Sequence, residues 1–352
     1  MRRVVSAARS ALPCLLLACD TPPGQPQDVE LQASEITGFL TTDGWTIRFD
    51  SLLVSVSEVF EGDGHHTHVE VGPGGVFDLA GPGPHRLARV PAGAGLLTWR
   101  LGPTTAPEGT ADPDQRAQLA AQGWTLRATG TAERAGQRKT FDIGLRPDIG
   151  FVCPLSRTGR LRVRPAWLFH DDLQAPEARL AFDLVAAADR DGDDHITTQE
   201  LAQVDLSLEA RYLTGHHAVS TLDAFIGILS TSWAFSERGA ACGQVLVPMA
   251  WQHAPNPLAQ DPAASRRGAP RYAALCASCH GPTGAGDGPL AATLEPPPQP
   301  FGRGMGAGYV AWRVAAGGGF PPFLTGMPAF ADALEGDALW EVVAFVRTLD
   351  GR

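Results

Sequence analysis

The sequence predicts a multidomain protein: an antiparallel β-sandwich-like N-terminal domain, a helical segment, and an all-α C-terminal domain. Short alternating segments separated by glycine and proline turns predict the sheets, and apolar residues at helical spacing predict the C-terminal helices. An acidic loop between two helical patterns predicts the middle segment. With 352 residues, 44% of them apolar, the chain is long enough for more than one hydrophobic core.

We place the domain boundaries where the residue composition changes. The predicted parts are a signal peptide at 1–18, a tether at 19–27, a β-rich domain at 28–175, a helical segment at 176–249, a linker at 250–261 and an all-α domain at 262–352.

The N-terminus has the pattern of a targeting segment. Three arginines precede the apolar run 12–18, which is too short to span a bilayer. Leu16-Leu17-Ala18-Cys19 resembles the lipobox of bacterial lipoproteins, which implies that Cys19 carries lipid. We therefore expect a periplasmic protein anchored to a bacterial membrane, and Asp20 favours the inner membrane because it resembles an enteric retention signal. The alternative is a cleaved signal with a soluble product.

The next region has the pattern of short strands. Alternation and β-branched residues predict strands over 45–49, 53–60, 124–131, 139–145 and 161–169, the third and fourth of them forming a hairpin. This region contains no catalytic triad, phosphate loop or dinucleotide fingerprint that we recognise. The strands therefore predict a sandwich without indicating an enzyme.

A histidine cluster is the chemical exception in the β-rich region. His65, His66 and His68 place three imidazoles in four positions, a set that suits copper or zinc. A solvated turn is the alternative, which we favour because the segment lies on a predicted loop.

The acidic loop 189–200 is flanked by helical patterns. Carboxylates at its first, third and fifth positions, an apolar residue at the eighth and a glutamate at the twelfth resemble an EF-hand calcium loop. The resemblance implies that calcium is held by Asp189, Asp191, Asp193, the backbone carbonyl of His195, Thr197 and Glu200. Asp194 departs from the motif, which has glycine there to adopt a left-handed conformation. An acidic turn between two helices is the alternative.

The run Cys276-Ala277-Ser278-Cys279-His280 is the strongest motif in the chain. Two thiols three residues apart fall on one helical turn, can form thioethers with one haem, and leave the next imidazole free for the iron. A redox pair does not explain His280, and a zinc site would need a second pair of cysteines. The motif therefore predicts one covalently bound haem c.

A second axial ligand is expected from a methionine. Met327 lies in Gly326-Met327-Pro328, where proline favours an extended loop that leaves the thioether available. Met305 is the alternative. Pro270 is compatible with the first helix of this domain only if that helix begins beside it.

Residues 262–352 resemble a class I cytochrome c domain. The resemblance rests on Gly268 and Tyr272, Cys276 to Gly281, the segments 284–289 and 296–301, Gly326 to Phe330, and the helix 340–349, in the order of the family. It implies an all-α cytochrome c fold, Cys276 and Cys279 as tethers, and His280 and Met327 as axial ligands. The family transfers single electrons, so we expect redox partner proteins and an electron carrier rather than a catalyst.

Two cysteines remain once the signal, the lipid and the haem are assigned. In an oxidising compartment Cys153 and Cys242 are expected to form a disulfide, and two buried free thiols are the alternative. The formal net charge of −10 makes nucleic acid an unexpected partner. A rival function is metal handling by the histidine cluster, or calcium-dependent binding, with the haem as an accessory.

Overall fold

The computed structural model describes residues 25–62, 69–83, 85–173, 178–215, 217, 219–252, 254–301, 305–320 and 323–349. The strands of its first half are β1 (Gln27–Ala33), β2 (Phe39–Leu40), β3 (Thr46–Glu61), β4 (Val69–Gly72), β5 (Gly75–Asp78), β6 (His85–Val90), β7 (Leu96–Leu101), β8 (Leu126–Arg134), β9 (Gln137–Leu145), β10 (Ile149–Pro154) and β11 (Arg160–Val163). Helix α1 (Pro113–Gln122) connects β7 to β8. The N-terminal region is rich in sheet, as its alternating pattern predicts.

The central region contributes both helices and strands. They are α2 (Asp183–Ala186), β12 (His195–Thr197), α3 (Thr198–Leu201), α4 (Leu222–Leu229), β13 (Ala234–Ser236) and β14 (Gly243–Val245). The smaller sheet has the order β13-β11-β1-β6, and the larger has the order β12-β9-β8-β3-β7-β10-β14, with β2, β4 and β5 also paired to β3. Residues 176–249 therefore differ from the predicted separate helical segment, because three short strands join them to the sheets.

The strand directions also differ from the prediction in two places. Among the described strands, β1 pairs with β11 and β12 pairs with β9 in parallel, while the other ladders are antiparallel. Both pairs join strands far apart in sequence, and such long connections allow a parallel arrangement that a hairpin does not. The two sheets share one core, to which β1 contributes Leu31, β7 contributes Trp99 and β9 contributes Phe141.

The C-terminal domain is helical and has a hydrophobic core of its own. Its helices are α5 (Met249–Gln252), α6 (Ala264–Leu275), α7 (Ala277–His280), α8 (Ala307–Ala316) and α9 (Asp337–Leu349). Helix α6 begins six residues before Pro270, which lies inside the helix, contrary to expectation. Because proline has no backbone N–H, the carbonyl of Arg266 lacks the hydrogen bond that a helix would otherwise supply. Arg266 is exposed, so water can donate to that carbonyl instead. None of the described helices is long and apolar enough to cross a membrane.

The predicted linker 250–261 packs against the C-terminal domain. The rings of Trp251 and Trp340 lie 6.2 Å apart, and the Asn256 amide donates to the Trp340 carbonyl over 3.0 Å. A Cβ atom on Gly308 would lie 1.7 Å from the Trp251 carbonyl oxygen, so only glycine permits this approach. The proline-rich composition suggested a free segment, but its aromatic and amide side chains find partners on α8 and α9.

A buried arginine connects the two halves of the chain. Arg100 of β7, 2% exposed, donates to the Asp148 carboxylate over 2.6 Å and to the Leu246 carbonyl over 2.6 Å. Its guanidinium also lies 5.9 Å from the Trp312 ring of α8. One side chain of the sheet thus holds the segment that leads into the C-terminal domain and contacts a helix of that domain.

Candidate cofactor and metal sites

The two thiols and the imidazole of the Cys-x-x-Cys-His run lie on one helical turn at the end of α6. The Cys276 amide donates to the Tyr272 carbonyl over 2.8 Å, and the His280 amide donates to the Cys276 carbonyl over 2.9 Å. Cys276 is buried, Cys279 and His280 are half-buried, and neither cysteine is in a disulfide. The arrangement presents both sulfur atoms and the imidazole from a single rigid turn.

Burial sets the charge of these groups. It raises the pKa of the Cys276 thiol to about 11, with the neighbouring Cys279 thiol as the second cause. Burial also lowers the pKa of His280, and the positive charge of Arg313 lowers it further. Among the described residues the buried Nδ1 of His280 has no hydrogen-bond partner. A neutral imidazole of this kind has a lone pair available for a metal.

The helix that carries this turn is fixed by a close crossing. A Cβ atom on Gly268 of α6 would lie 2.0 Å from the Glu341 carbonyl oxygen of α9, so the two backbones nearly touch. The Tyr272 hydroxyl donates to the Gly281 carbonyl over 2.7 Å, and its ring lies 5.1 Å from that of Phe345. Glycine and tyrosine at this spacing therefore set where α7 lies.

The loop after the motif places an aromatic ring beside the histidine. Gly284 has a φ of +74°, and a Cβ atom there would lie 2.3 Å from the Phe301 ring. The Phe301 and His280 rings are 5.0 Å apart. This packing restricts the orientation of the imidazole and shields it from water.

Both candidate methionines pack against the cluster that contains Cys276. Met305 and Met327 are half-buried against this set of apolar side chains. The Gly318 amide donates to the Met327 carbonyl over 2.9 Å, which fastens the methionine loop to the end of α8. Met305 instead accepts a hydrogen bond at its carbonyl from Arg347 of α9. Cys276 belongs to this cluster, both thioethers pack on it, and so does Phe301, whose ring lies 5.0 Å from that of His280. Thiols, an imidazole and a thioether are a donor set that fits a haem.

The acidic loop brings three of its predicted ligands together. One carboxylate oxygen each from Asp189, Asp191 and Asp193 lies within 4.8 Å of the others. Asp189 accepts from the amides of Gly192 over 2.8 Å and Asp194 over 3.0 Å, so backbone donors shape the loop. Asp194 has a φ of 63°, the left-handed conformation that the motif requires at this position.

Lys139 of β9 was not expected in this loop. Its ammonium contacts Asp189 and lies 2.9 Å from the Asp194 carboxylate. It is the principal cause that lowers the pKa of Asp189. The lysine thus supplies positive charge to the carboxylates, and the aspartate that replaces the usual glycine is one of its partners.

The remaining predicted calcium ligands are engaged in local structure. Thr197 is the N-cap of α3, and one Glu200 oxygen accepts from the Thr197 amide and hydroxyl over 2.8 Å each. The other oxygen, Oε1, is buried and has no partner among the described residues. The His195 amide donates to Asp193 over 2.7 Å. The structure therefore gathers the aspartates and leaves Glu200 outside their cluster, with one oxygen free.

Cys153 and Cys242 are joined by a disulfide, with their Cα atoms 4.5 Å apart. It links the end of β10 to the residue before β14. Cys19, His65, His66 and His68 lie outside the described residues, so the lipid anchor and the histidine site stay predictions.

Arg313, which sequence reasoning passed over, lies beside the haem motif. The sequence could have indicated it, because a single charged residue within the otherwise apolar α8 is typical of a functional position. Arg100 and Lys139 gave no comparable signal, since they lie on strands whose partners come from distant parts of the sequence.

Comparison with known proteins identifies the C-terminal domain. The model of the family described as cytochrome C oxidase, cbb3-type, subunit III matches residues 263–346. The search of curated proteins finds no match. Two similar solved structures are a chain of the Kuenenia stuttgartiensis reducing HAO-like protein complex and MbnP from Methylosinus trichosporium. The first is 20% identical, covers 44% of this chain and 70% of its own, and has a TM-score of 0.24. The second is 10% identical, covers 54% and 93%, and has a TM-score of 0.27.

The chain therefore carries a C-terminal c-type cytochrome domain, which implies covalently bound haem and suggests electron transfer.

Proposed function

We propose that this protein is a lipid-anchored, monohaem c-type cytochrome that transfers single electrons outside the cytoplasm. One observation carries the proposal: Cys276, Met327 and Phe301 share one apolar cluster, the His280 ring lies 5.0 Å from the Phe301 ring, and Cys279 lies on the helical turn between Cys276 and His280. A covalently tethered haem with one nitrogen and one sulfur ligand is the group that uses both thiols, the imidazole and the thioether.

Each residue has a distinct role in this proposal. Haem iron, when bound, supplies a one-electron couple. Cys276 and Cys279 hold the macrocycle, and His280 is oriented by the Phe301 ring 5.0 Å away. Met327 completes the coordination, which leaves no open position for a substrate and favours an electron carrier over a catalyst. The apolar surroundings exclude water, and that environment influences the reduction potential.

The cellular setting follows from the sequence. The lipobox-like run that ends at Cys19 supports export and attachment of the N-terminus to a membrane, with the inner membrane favoured. Attached haem and the disulfide between Cys153 and Cys242 both suit an oxidising compartment. We infer that redox proteins of the periplasm are the partners.

Expression of the full chain with haem-attachment machinery tests the proposal. We expect one haem per chain that resists extraction by acid and organic solvent, and a redox titration that follows a single one-electron curve. The variant with Cys276→Ala and Cys279→Ala should lose the haem on extraction. Haem that is extractable from the parent protein, or more than one haem per chain, would overturn the proposal.

A calcium site in the acidic loop is the second candidate. Asp194 favours it over a simple acidic turn, because its φ of 63° is the left-handed conformation that the calcium-loop motif requires at the sixth position. Asp189, Asp191 and Asp193 already have oxygens within 4.8 Å of one another. The loop adjoins the larger sheet through β12, so calcium would stabilise the β-rich domain rather than act as a sensor.

A further inference from the structure

Trp312 of α8 is buried between the β-rich domain and the cytochrome domain. Its side chain is 3% exposed, yet it belongs to none of the hydrophobic cores that the described residues form. The Arg100 guanidinium lies 5.9 Å from the centre of its ring. The Arg313 guanidinium lies 5.8 Å from the same ring but is carried by the same helix, so Arg100 is the contact from the β-rich domain. A cation over an indole ring is attracted by it, and most strongly where water is excluded.

The Arg100 side chain is fixed on the sheet. Its Nε donates to the Asp148 carboxylate over 2.6 Å, its Nη1 to the Val245 carbonyl over 3.1 Å and its Nη2 to the Leu246 carbonyl over 2.6 Å. Three bonds to separate acceptors define the plane of the guanidinium. The buried arginine therefore presents a rigid surface to α8 rather than a mobile side chain.

Trp312 also packs against the loop that leads to the proposed axial methionine. The rings of Phe320 and Phe323 lie 6.1 Å and 5.7 Å from the Trp312 ring, and 5.7 Å from each other. The Gly318 amide at the start of this loop donates to the Met327 carbonyl over 2.9 Å. The position of Met327 thus depends on a loop whose aromatic side chains pack on Trp312.

We propose that Arg100 is a positioning residue for the haem: through Trp312 it keeps the methionine loop in the conformation that places Met327 on the iron. The inference rests on the proposed function. A loop without this support releases the thioether more often, and an added imidazole then takes its place. The β-rich domain in this way protects the haem of its own chain from foreign ligands.

The competing role is structural, because Arg100 also pairs with Asp148 inside the β-rich domain. Arg100→Gln combined with Asp148→Asn removes both charges and leaves no buried carboxylate unpaired. The matched control is Arg127→Gln combined with Asp142→Asn. These two residues also form an ion pair over 2.6 Å, and Arg127 lies 6.0 Å from the Trp124 ring, but all three lie in the β-rich domain.

The experiment measures the affinity of the full-length ferric holoprotein for imidazole, after covalent haem and the sulfur-to-iron absorption band are verified in the parent. We expect the variant with Arg100→Gln and Asp148→Asn to bind imidazole about 3- to 30-fold more tightly, the range that loss of a cation–π contact allows. The control should bind imidazole as the parent does. Trp312→Leu should raise the affinity as well, and adding it to the first variant should change little, because both remove the same contact.

A parent-like affinity in the first variant would overturn this role for Arg100. An equal rise in the control, or effects that add up when Trp312→Leu is combined with the first variant, would also overturn it. If the first variant does not fold, Trp312→Leu decides alone, since it leaves the ion pair of Arg100 in place: a raised affinity supports the role and a parent-like affinity overturns it. A parent without covalent haem or without the absorption band would instead overturn the proposed function, and this role with it.

Discussion

The substitution Gly268→Ala tests the crossing of α6 and α9. The added Cβ atom would lie 2.0 Å from the carbonyl oxygen and 2.5 Å from the carbonyl carbon of Glu341. Ordinary contact begins near 3.4 Å, so the helices must separate by about 1.4 Å. Both contacts are with backbone, which cannot rotate away. The shift would also disturb the ion pairs that Glu341 forms with Arg267 and Arg271.

Two opposing energies set the size of the effect. Overpacking of this kind costs about 1–3 kcal/mol, and rigid backbone on both sides places this site at the upper end. Alanine is favoured over glycine inside a helix by about 1 kcal/mol. We therefore expect a net loss of about 2 kcal/mol in the free energy of unfolding of the cytochrome domain.

Denaturant unfolding of the full holoprotein, followed by haem absorbance, measures this loss. Gly319→Ala is the matched control, because a Cβ atom there meets nothing within 4 Å. The control should unfold at the parent midpoint or slightly above it. If Gly268→Ala is as stable as the parent, the close crossing described here is wrong.

Three further predictions concern other parts of the chain. If the acidic loop binds calcium, calcium at 100 times its Kd should stabilise the parent by about 2.7 kcal/mol, and Glu200→Gln should erase that gain. The same melting temperature of the parent with and without calcium would refute the site. Replacing Cys153 and Cys242 together by alanine should cost the β-rich domain about 2–5 kcal/mol, measured by chemical unfolding, and a loss well below 1 kcal/mol would contradict a stabilising role. Trp251→Ala should lower the free energy of unfolding, followed by haem absorbance, by about 2 kcal/mol, because the ring packs on α9. An unchanged free energy of unfolding would show that 250–261 is a free linker, as its composition predicts.

The sequence predicted what short-range patterns determine. The Cys-x-x-Cys-His run places the thiols and the imidazole on one helical turn, as its spacing predicts. The acidic loop likewise places its three aspartates together, since backbone amides within the loop organise them.

Features that depend on distant pairing could not be predicted. β13 joins β11 and β14 joins β10, so residues that look like parts of a helical segment complete the two sheets. Lys139 contacts Asp189 because β12 pairs with β9. No pattern in either segment of the sequence predicts that pairing. The proline-rich composition of 250–261 predicted a free linker. The segment instead packs against α9 through the aromatic ring of Trp251.

The oxidised visible spectrum of the holoprotein tests the central claim most directly. Sulfur ligation of ferric haem gives a weak charge-transfer band at the red end of the spectrum. We expect the parent and Met305→Ala to show this band and Met327→Ala to lose it. If the band is lost in Met305→Ala and kept in Met327→Ala, or is absent from the parent, the proposed coordination by His280 and Met327 is contradicted.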